Sequence, residues 1–109
     1  MPKFGVLASG GGCQNTGDLS VCISWTNSTL KGDFYRNSFN NSSWCKARLY
    51  IIEAGVARYK YTTTMNTIGH YPIATEPTSG SGTAATEVDV YTCADSFIQA
   101  TFSPSQIYP

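Results

Sequence analysis

The chain has 109 residues, and its seven basic and seven acidic side chains give a formal net charge of zero. This length predicts one domain, and the balanced charge argues against a general nucleic-acid-binding protein, which normally carries a basic excess. No stretch reaches the roughly 18 to 20 apolar residues that a membrane-spanning helix needs, and no intact signal peptide is visible. Ser, Thr, Asn, Gly and Tyr are abundant, a composition that favours twisted strands and tight turns.

The first predicted element is a strand over residues 3–8, which precedes three consecutive glycines. Alternation places Phe4 and Val6 on one face of this strand and Leu7 on the other. The glycines are not a phosphate-binding loop, because such a loop is followed by a helix, whereas a turn and a strand follow here. Two interpretations stay open for residues 1–12. Either they hold the first strand of the domain, or they are an arm with a glycine linker whose Phe4, Val6 and Leu7 complete a partner's sheet by β-augmentation.

Strands continue along the rest of the chain, because apolar and polar residues alternate repeatedly and no helical periodicity is present. Stretches rich in glycine, proline and asparagine separate the alternating segments. The predicted strands lie at 19–25, 29–36, 46–52, 56–63, 70–75, 85–93 and 97–103. About seven or eight short strands at this spacing indicate an all-β fold, an antiparallel β-sandwich with immunoglobulin-like architecture, over residues 13–109.

A hairpin is predicted between residues 46–52 and 56–61, where basic and apolar residues alternate on both sides of a short loop. A three-residue loop at 53–55 pairs apolar positions with one another and places Gly55 where a left-handed residue is required. The residues that face the core in this register are Ala47, Leu49, Ile51, Ala57, Tyr59 and Tyr61.

The opposite face of this hairpin is predicted to contact a partner. In the same register Arg48 opposes Lys60, and Tyr50 opposes Arg58. Because like charges directly opposite one another are unfavourable, an anionic group should lie nearby, either carboxylates of the strand at 85–93 or an anionic partner surface. Exposed tyrosine beside arginine is typical of protein recognition, and it also suits stacking against a carbohydrate.

The four cysteines predict two disulfides and therefore an oxidising, extracellular compartment. A metal site is disfavoured, since no CxxC motif occurs and the single histidine, His70, has no cysteine near it in the sequence. Four cysteines allow three connectivities. We expect Cys13 to pair with Cys22 across a local turn and Cys45 to pair with Cys93 at strand ends, each bridge contributing about 2 to 4 kcal/mol.

Signals for catalysis are weak. His70 is the only histidine available as a general base, and no G-x-S-x-G nucleophile turn occurs. Glu87 and Asp89 share a strand face, but neighbouring carboxylates of this kind are usually solvated or ion-paired. We therefore expect no catalytic residue, no cofactor and no metal, and a hydrolase is the least favoured alternative.

Two family resemblances bear on the fold. The segment "VYTC" resembles the Tyr-x-Cys strand of immunoglobulin domains, and the separation of Cys93 from Cys22 suits that family. Both cysteines lie in phase with polar residues, so this resemblance implies the architecture and not a disulfide through the core. The segments "LSVCISW", "GDFYRNS", "GHYPI" and "VDVYTC" resemble small secreted β-sandwich proteins of actinobacteria. That resemblance implies secretion and, for some members, a role as subunits of secreted toxin particles.

These observations predict a secreted, non-enzymatic binding module, an adaptor or structural subunit of an extracellular protein assembly such as a toxin particle. The expected partner is another extracellular protein, in a homo- or hetero-oligomer, and a carbohydrate is the alternative ligand. The alternative function is a stand-alone effector, such as a protein inhibitor or an antimicrobial protein. Such an effector would present one exposed loop, for which residues 37–43 and 76–82 are the candidates.

Overall fold

The computed structural model describes residues 9–109, in which eleven strands form two antiparallel sheets. The strands are β1 (Ser9–Gly10), β2 (Gly12–Asn15), β3 (Leu19–Thr26), β4 (Thr29–Arg36), β5 (Lys46–Glu53), β6 (Val56–Thr64), β7 (Gly69–His70), β8 (Ala74–Pro77), β9 (Gly82–Tyr91), β10 (Phe97–Phe102) and β11 (Gln106–Tyr108). The small all-β sandwich expected from the sequence is confirmed. Within these residues no helix has the length and hydrophobicity that a membrane crossing requires.

The two sheets share the strands almost equally. The first sheet has the order β1-β11-β9-β5-β6, and β10 lies beside β9 along the same edge as β11. The second sheet has the order β2-β3-β4-β7, and β8 also pairs with β4. The strand predicted at 70–75 is divided into β7 and β8, because Pro72 cannot donate a ladder hydrogen bond between them. The short strands β2 and β11 lack the alternation that predicts a strand and were not expected.

The core lies between the inner faces of the two sheets, and alternate side chains of the strands form it. Alternate residues are buried over most of the length of β3, β5 and β9, and of the residues between them only Cys22 is buried. The most completely buried apolar side chains of this core include Leu19, Val21, Ile23, Leu30, Phe34, Leu49, Ile51, Met65, Val88 and Val90. Each such burial contributes roughly 1.5 to 3 kcal/mol, so the alternation that predicted the strands also holds the sheets together.

The register of the β5-β6 hairpin differs from the prediction. The turn contains two residues, Ala54 and Gly55, and both have positive φ, 53° and 80°, as a type I′ turn requires. Farther along, the pairing shifts between Leu49 and Tyr50, which leaves Lys60 as the extra residue of β6. The predicted three-residue loop was therefore wrong, because the turn is one residue shorter and a bulge takes up the difference.

The three glycines near the start of the described chain carry it from one sheet to the other. Ser9 and Gly10 pair with β11 in the first sheet, whereas the strand that begins at Gly12 pairs with β3 in the second. All three glycines have φ between 78° and 89°, a conformation that other residues rarely adopt. A Cβ atom on Gly10 would lie 2.5 Å from the carbonyl oxygen of Ser105, so glycine is required for this crossing.

The two disulfides join the expected cysteines. Cys13 and Cys22 lie directly opposite each other on β2 and β3, with their Cα atoms 4.0 Å apart. Cys45 directly precedes β5 and Cys93 follows the end of β9, the two central strands of the first sheet, with Cα atoms 5.0 Å apart. The expected connectivity is confirmed, and each bridge lies within one sheet and does not cross the core. Only Cys45–Cys93 lies at strand ends, because Cys22 is in the middle of β3.

A buried arginine organises the loop between β4 and β5. Arg36 is 1% exposed, and its Nη2 donates to the carbonyl oxygen of Asn41 at 3.0 Å. Its guanidinium lies 4.9 Å and 5.2 Å from the ring centroids of Phe39 and Trp44. Asp18, which is also buried, accepts a hydrogen bond from the backbone amide of Asn41 at 2.7 Å. These polar contacts hold the loop against the sandwich.

Candidate binding face

The candidate binding surface is the side of the first sheet that points away from the core, which we call the outer face. Four neighbouring strands, in the order β6-β5-β9-β10, contribute alternate side chains to it. Their pairings arrange these side chains in four rows, each running across the strands. The first row is Thr64, Lys46, Tyr91 and Phe97, and the second row is Thr62, Arg48, Asp89 and Ala100. The third row is Tyr59, Tyr50, Glu87 and Phe102, and the fourth row is Ala57, Ile52 and Ala85.

Aromatic rings cover much of the outer face. Tyr59, Phe97 and Phe102 are each about half exposed, at 56%, 57% and 48%. Two of the rings are supported from the side, because Tyr59 packs against Tyr50 with centroids 5.8 Å apart and Phe97 packs against Tyr91 at 5.7 Å. In both pairs the rings stand edge to face, at interplanar angles of 69° and 71°. The rings are therefore positioned rigidly but do not form a flat platform.

One arginine lies among these rings. The guanidinium of Arg48 lies 4.8 Å from the centroid of the Tyr91 ring, within the range of a cation–π interaction. A hydrogen bond with Tyr50 is the main cause that raises the pKa of Arg48 above its usual value, and the neighbouring Tyr91 adds to it. Arg48 therefore stays charged on the outer face and is held in place by two tyrosines.

A pair of carboxyl groups lies beside Arg48. Glu87 and Asp89 are adjacent on the outer face of β9 and are partly buried. The hydrogen bond that protonated Glu87 donates to the carboxylate of Asp89, followed by burial and the charge of Asp89, raises the pKa of Glu87 to about 7. Within residues 9–109 neither carboxyl forms an ion pair, and the Oδ1 atom of Asp89 is buried without a hydrogen-bond partner. The pair therefore retains unused capacity to accept hydrogen bonds and positive charge.

The fourth row ends in a shallow depression of about 370 Å³. Ile52 and Ala85 of the outer face line it, together with the β5-β6 turn and Ser105. The complete lining consists of Ile52, Ala54, Gly55, Thr83, Ala84, Ala85 and Ser105. The outer face thus has protruding rings at one end and a depression lined with small residues at the other.

Only some of the residues predicted to bind a partner lie on the outer face. Arg48 and Tyr50 lie on the outer face as expected, but Arg48 lies opposite Thr62 and not opposite Lys60. Arg58 lies on the other side of the sheet. The shorter turn and the bulge in β6 explain the change, since each moves side chains of this strand to the opposite face. Phe4, Val6 and Leu7 lie outside the described residues, so the arm stays a prediction.

Arg58 and Lys60 are used inside the fold. The Nε atom of Arg58 lies 3.7 Å from carboxylate oxygens of both Glu53 and Glu76, and Lys60 forms an ion pair with Glu76. Because Glu76 belongs to β8, these contacts join the edge of the first sheet to the second sheet. The two basic residues therefore stabilise the sandwich and do not belong to the outer face.

The sequence did not predict the position of three residues of the outer face. Tyr59 was expected in the core, and neither Phe97 nor Phe102 was singled out. A signal existed for Tyr59, since a two-residue turn at 54–55 places it beside Tyr50. The alternation that would reveal the two phenylalanines is broken by a register shift after Phe97.

A second polar cluster lies on the exposed side of the second sheet. His70 contacts Asp33 through Nε2, and its ring stacks on Tyr35 with centroids 4.4 Å apart. Cys22, which lies opposite Asp33, is held in a disulfide and is not free as a nucleophile. These contacts fasten the two-residue strand β7 to β4. Among residues 9–109 no three His, Cys, Asp or Glu side chains are close enough to hold a metal ion.

Comparison with known proteins adds no family assignment. No protein-family model matches the chain, and no curated protein matches it significantly. The similarity of the strand segments to actinobacterial secreted proteins therefore stays a prediction. What this protein does must be inferred from its own residues, above all from the outer face of the first sheet.

Proposed function

We propose that this protein is a secreted, non-enzymatic binding module, an adaptor or structural subunit of an extracellular protein assembly. It binds its protein partner through the outer face of the first sheet. The observation that carries this proposal is the set of half-exposed rings, Tyr59, Phe97 and Phe102, beside the charged Arg48 on four neighbouring strands of the first sheet. Aromatic residues and arginine are the types most enriched at the energetic centres of protein interfaces.

Three features support a protein partner in an extracellular setting. The two disulfides are typical of proteins that fold in an oxidising compartment. The rings of the outer face stand edge to face, whereas a carbohydrate stacks on rings that lie flat. The depression around Ile52 and Ala85 is mostly apolar, with only the hydroxyls of Thr83 and Ser105 among its side chains, whereas a sugar offers many hydroxyl groups. Together they favour a protein over a sugar.

The experiment compares two double variants, each of which replaces two exposed side chains with serine. Tyr59→Ser with Phe102→Ser removes two rings of the outer face, and Ile68→Ser with Ile73→Ser removes two equally exposed side chains away from it. Each protein is secreted from its producing cells, cross-linked in the medium and analysed by mass. We expect the native protein and the isoleucine variant to form the same cross-linked complex.

The outer-face variant should lose that complex and keep its melting temperature within a few degrees, since exposed side chains contribute little to folding. Retention of the complex by the outer-face variant would refute the proposal. So would equal loss of the complex in both variants.

A further inference from the structure

One edge of the first sheet is formed by β6, which pairs only with β5 among residues 9–109. Successive residues of an antiparallel strand direct their backbone N–H and C=O groups to opposite sides. Glu53 and Val56 flank the two-residue turn and form a hydrogen-bonded pair, so the backbone groups of Val56 point towards β5. By alternation, the backbone groups of Ala57 and Tyr59 point away from β5, out of the sheet edge.

Two more residues of β6 direct their backbone groups outwards on the far side of the bulge. The amide of Met65 donates to the carbonyl oxygen of Cys45 at 2.9 Å, so Met65 points towards the β5 side. By the same alternation Thr62 and Thr64 point away from it. In the part of the chain that the structure describes, these outward groups have no backbone partner, and only the Thr64 carbonyl has a side-chain donor, the hydroxyl of Thr63.

The bulge gives this edge an unusual spacing. In a regular strand the outward residues are two positions apart, but Tyr59 and Thr62 are three apart, because Lys60 is the extra residue. A regular strand laid along this edge would pair with one half and lose its register at the bulge. A second β6, running in the opposite direction, has the same spacing and pairs on both sides of the bulge. We propose that this chain forms a dimer in which the β6 edges of two copies pair antiparallel.

The twofold axis of this dimer is perpendicular to the sheet and passes between the two β6 strands. This rotation reverses the strand direction and keeps both outer faces on the same side. Tyr59 of each copy then lies opposite Thr62 of the other copy, and Ala57 lies opposite Thr64. Each pair occurs twice and exchanges two backbone hydrogen bonds, which gives about eight in all. The first sheets of the two copies thereby become one continuous sheet.

The side chains along this edge are compatible with the pairing. In the proposed register Arg58 lies opposite Thr63 of the other copy, and Lys60 lies opposite Tyr61, so no two like charges are directly opposed. Arg58 and Lys60 also form ion pairs with Glu76 within their own copy. The formal net charge of zero adds no repulsion between the two chains.

Backbone pairing along a single strand predicts a weak dimer. Each hydrogen bond replaces one made with water, and the area buried is at the low end for protein interfaces, so we expect association in the micromolar range or more weakly. The dimer does not depend on the function proposed above, because it leaves both outer faces open. The variant that combines Tyr59→Ser with Phe102→Ser should therefore dimerise like the wild type.

The first test removes one outward N–H group. Thr62→Pro deletes a donor that makes no bond with β5 and places the proline ring on the edge, a position that edge strands accept. Ala100→Pro is the matched control on β10, because Ser103 donates its amide to Thr86 and alternation then directs the amide of Ala100 outwards. Sedimentation over a range of concentrations should show a dimer for the wild type and the control, and a monomer for Thr62→Pro. A wild type that is monomeric at high concentration, or a dimeric Thr62→Pro, would overturn the proposal.

The second test reads the register directly and decides the question if a proline variant fails to fold. Tyr59→Cys and Thr62→Cys are purified separately, mixed at high concentration and mildly oxidised. Opposed hydrogen-bonded positions have Cα atoms about 5.5 Å apart, which suits a disulfide, whereas two copies of one position lie diagonally, more than about 7 Å apart. A dimer cross-linked between positions 59 and 62, identified by peptide mass, should form in the mixture and in neither variant alone. A mixture without this cross-link, or equal cross-linking within a single variant, would refute the pairing.

Discussion

Removal of the disulfides one at a time provides the sharpest test of how this small sandwich is stabilised. The two bridges close loops of very different length, with sequence separations of 9 residues for Cys13–Cys22 and 48 residues for Cys45–Cys93. Both join strands that already pair or adjoin in the folded state. Their main effect should therefore be to restrict the unfolded chain, and the longer loop should be restricted more.

The loop lengths give the magnitude of each effect. The chain-entropy relation predicts a loss of about 4 kcal/mol when Cys45 and Cys93 are both replaced by alanine, and about 2.7 kcal/mol for the same change at Cys13 and Cys22. The difference of about 1.4 kcal/mol corresponds to several degrees in the melting temperature of a domain of this size.

The assay is equilibrium urea unfolding of the native protein and both double-alanine variants, at a protein concentration low enough to keep all three monomeric. We expect both variants to fold and the Cys45/Cys93 variant to be the less stable. If the Cys13/Cys22 variant loses more stability, the loop-entropy argument is wrong for this protein. The bridge would then act by holding β2 in the native sheet, where β2 is an exposed strand paired only with β3 among the described residues.

Two further predictions concern charged groups. Because the folded state raises the pKa of Glu87 to about 7 from its ordinary value of 4.5, the folded state binds more protons in that range, and the free energy of unfolding should fall as pH rises from about 4.5 to about 7. Glu87→Gln should flatten this slope in thermal melts, and an unchanged slope in that variant would contradict the assignment. Glu76 has a side chain only 16% exposed and binds two basic residues, so Glu76→Gln should lower the unfolding free energy by about 1 to 3 kcal/mol. Asp95→Asn, which breaks an exposed pair, should cost clearly less, and equal losses in urea unfolding would show that Glu76 does not join the sheets.

Features that depend on local alternation were predictable from the sequence. The segment "LSVCISW" places Leu19, Val21 and Ile23 on one face, and all three are buried in β3. The same period places Cys22 outside the core, which correctly excluded an immunoglobulin-type bridge. Each of these inferences needs only the two-residue period of a strand, and the chain displays that period directly.

The residues of the outer face could be identified only from the tertiary structure, because strand register is not a local property. The hairpin turn has Ala54 at a position where Asn, Asp or Gly is usual, so the sequence did not reveal that the turn has only two residues. The bulge at Lys60 directs this side chain towards Glu76, which lies on a strand of the other sheet. Composition and alternation thus determined the class of fold, while the pairing expected for the cysteines was decided among three connectivities by the tertiary structure. The set of side chains that share the outer face was decided by ion pairs between sheets and by the bulges that permit them, since a shift of one residue moves every side chain of a strand to its other face.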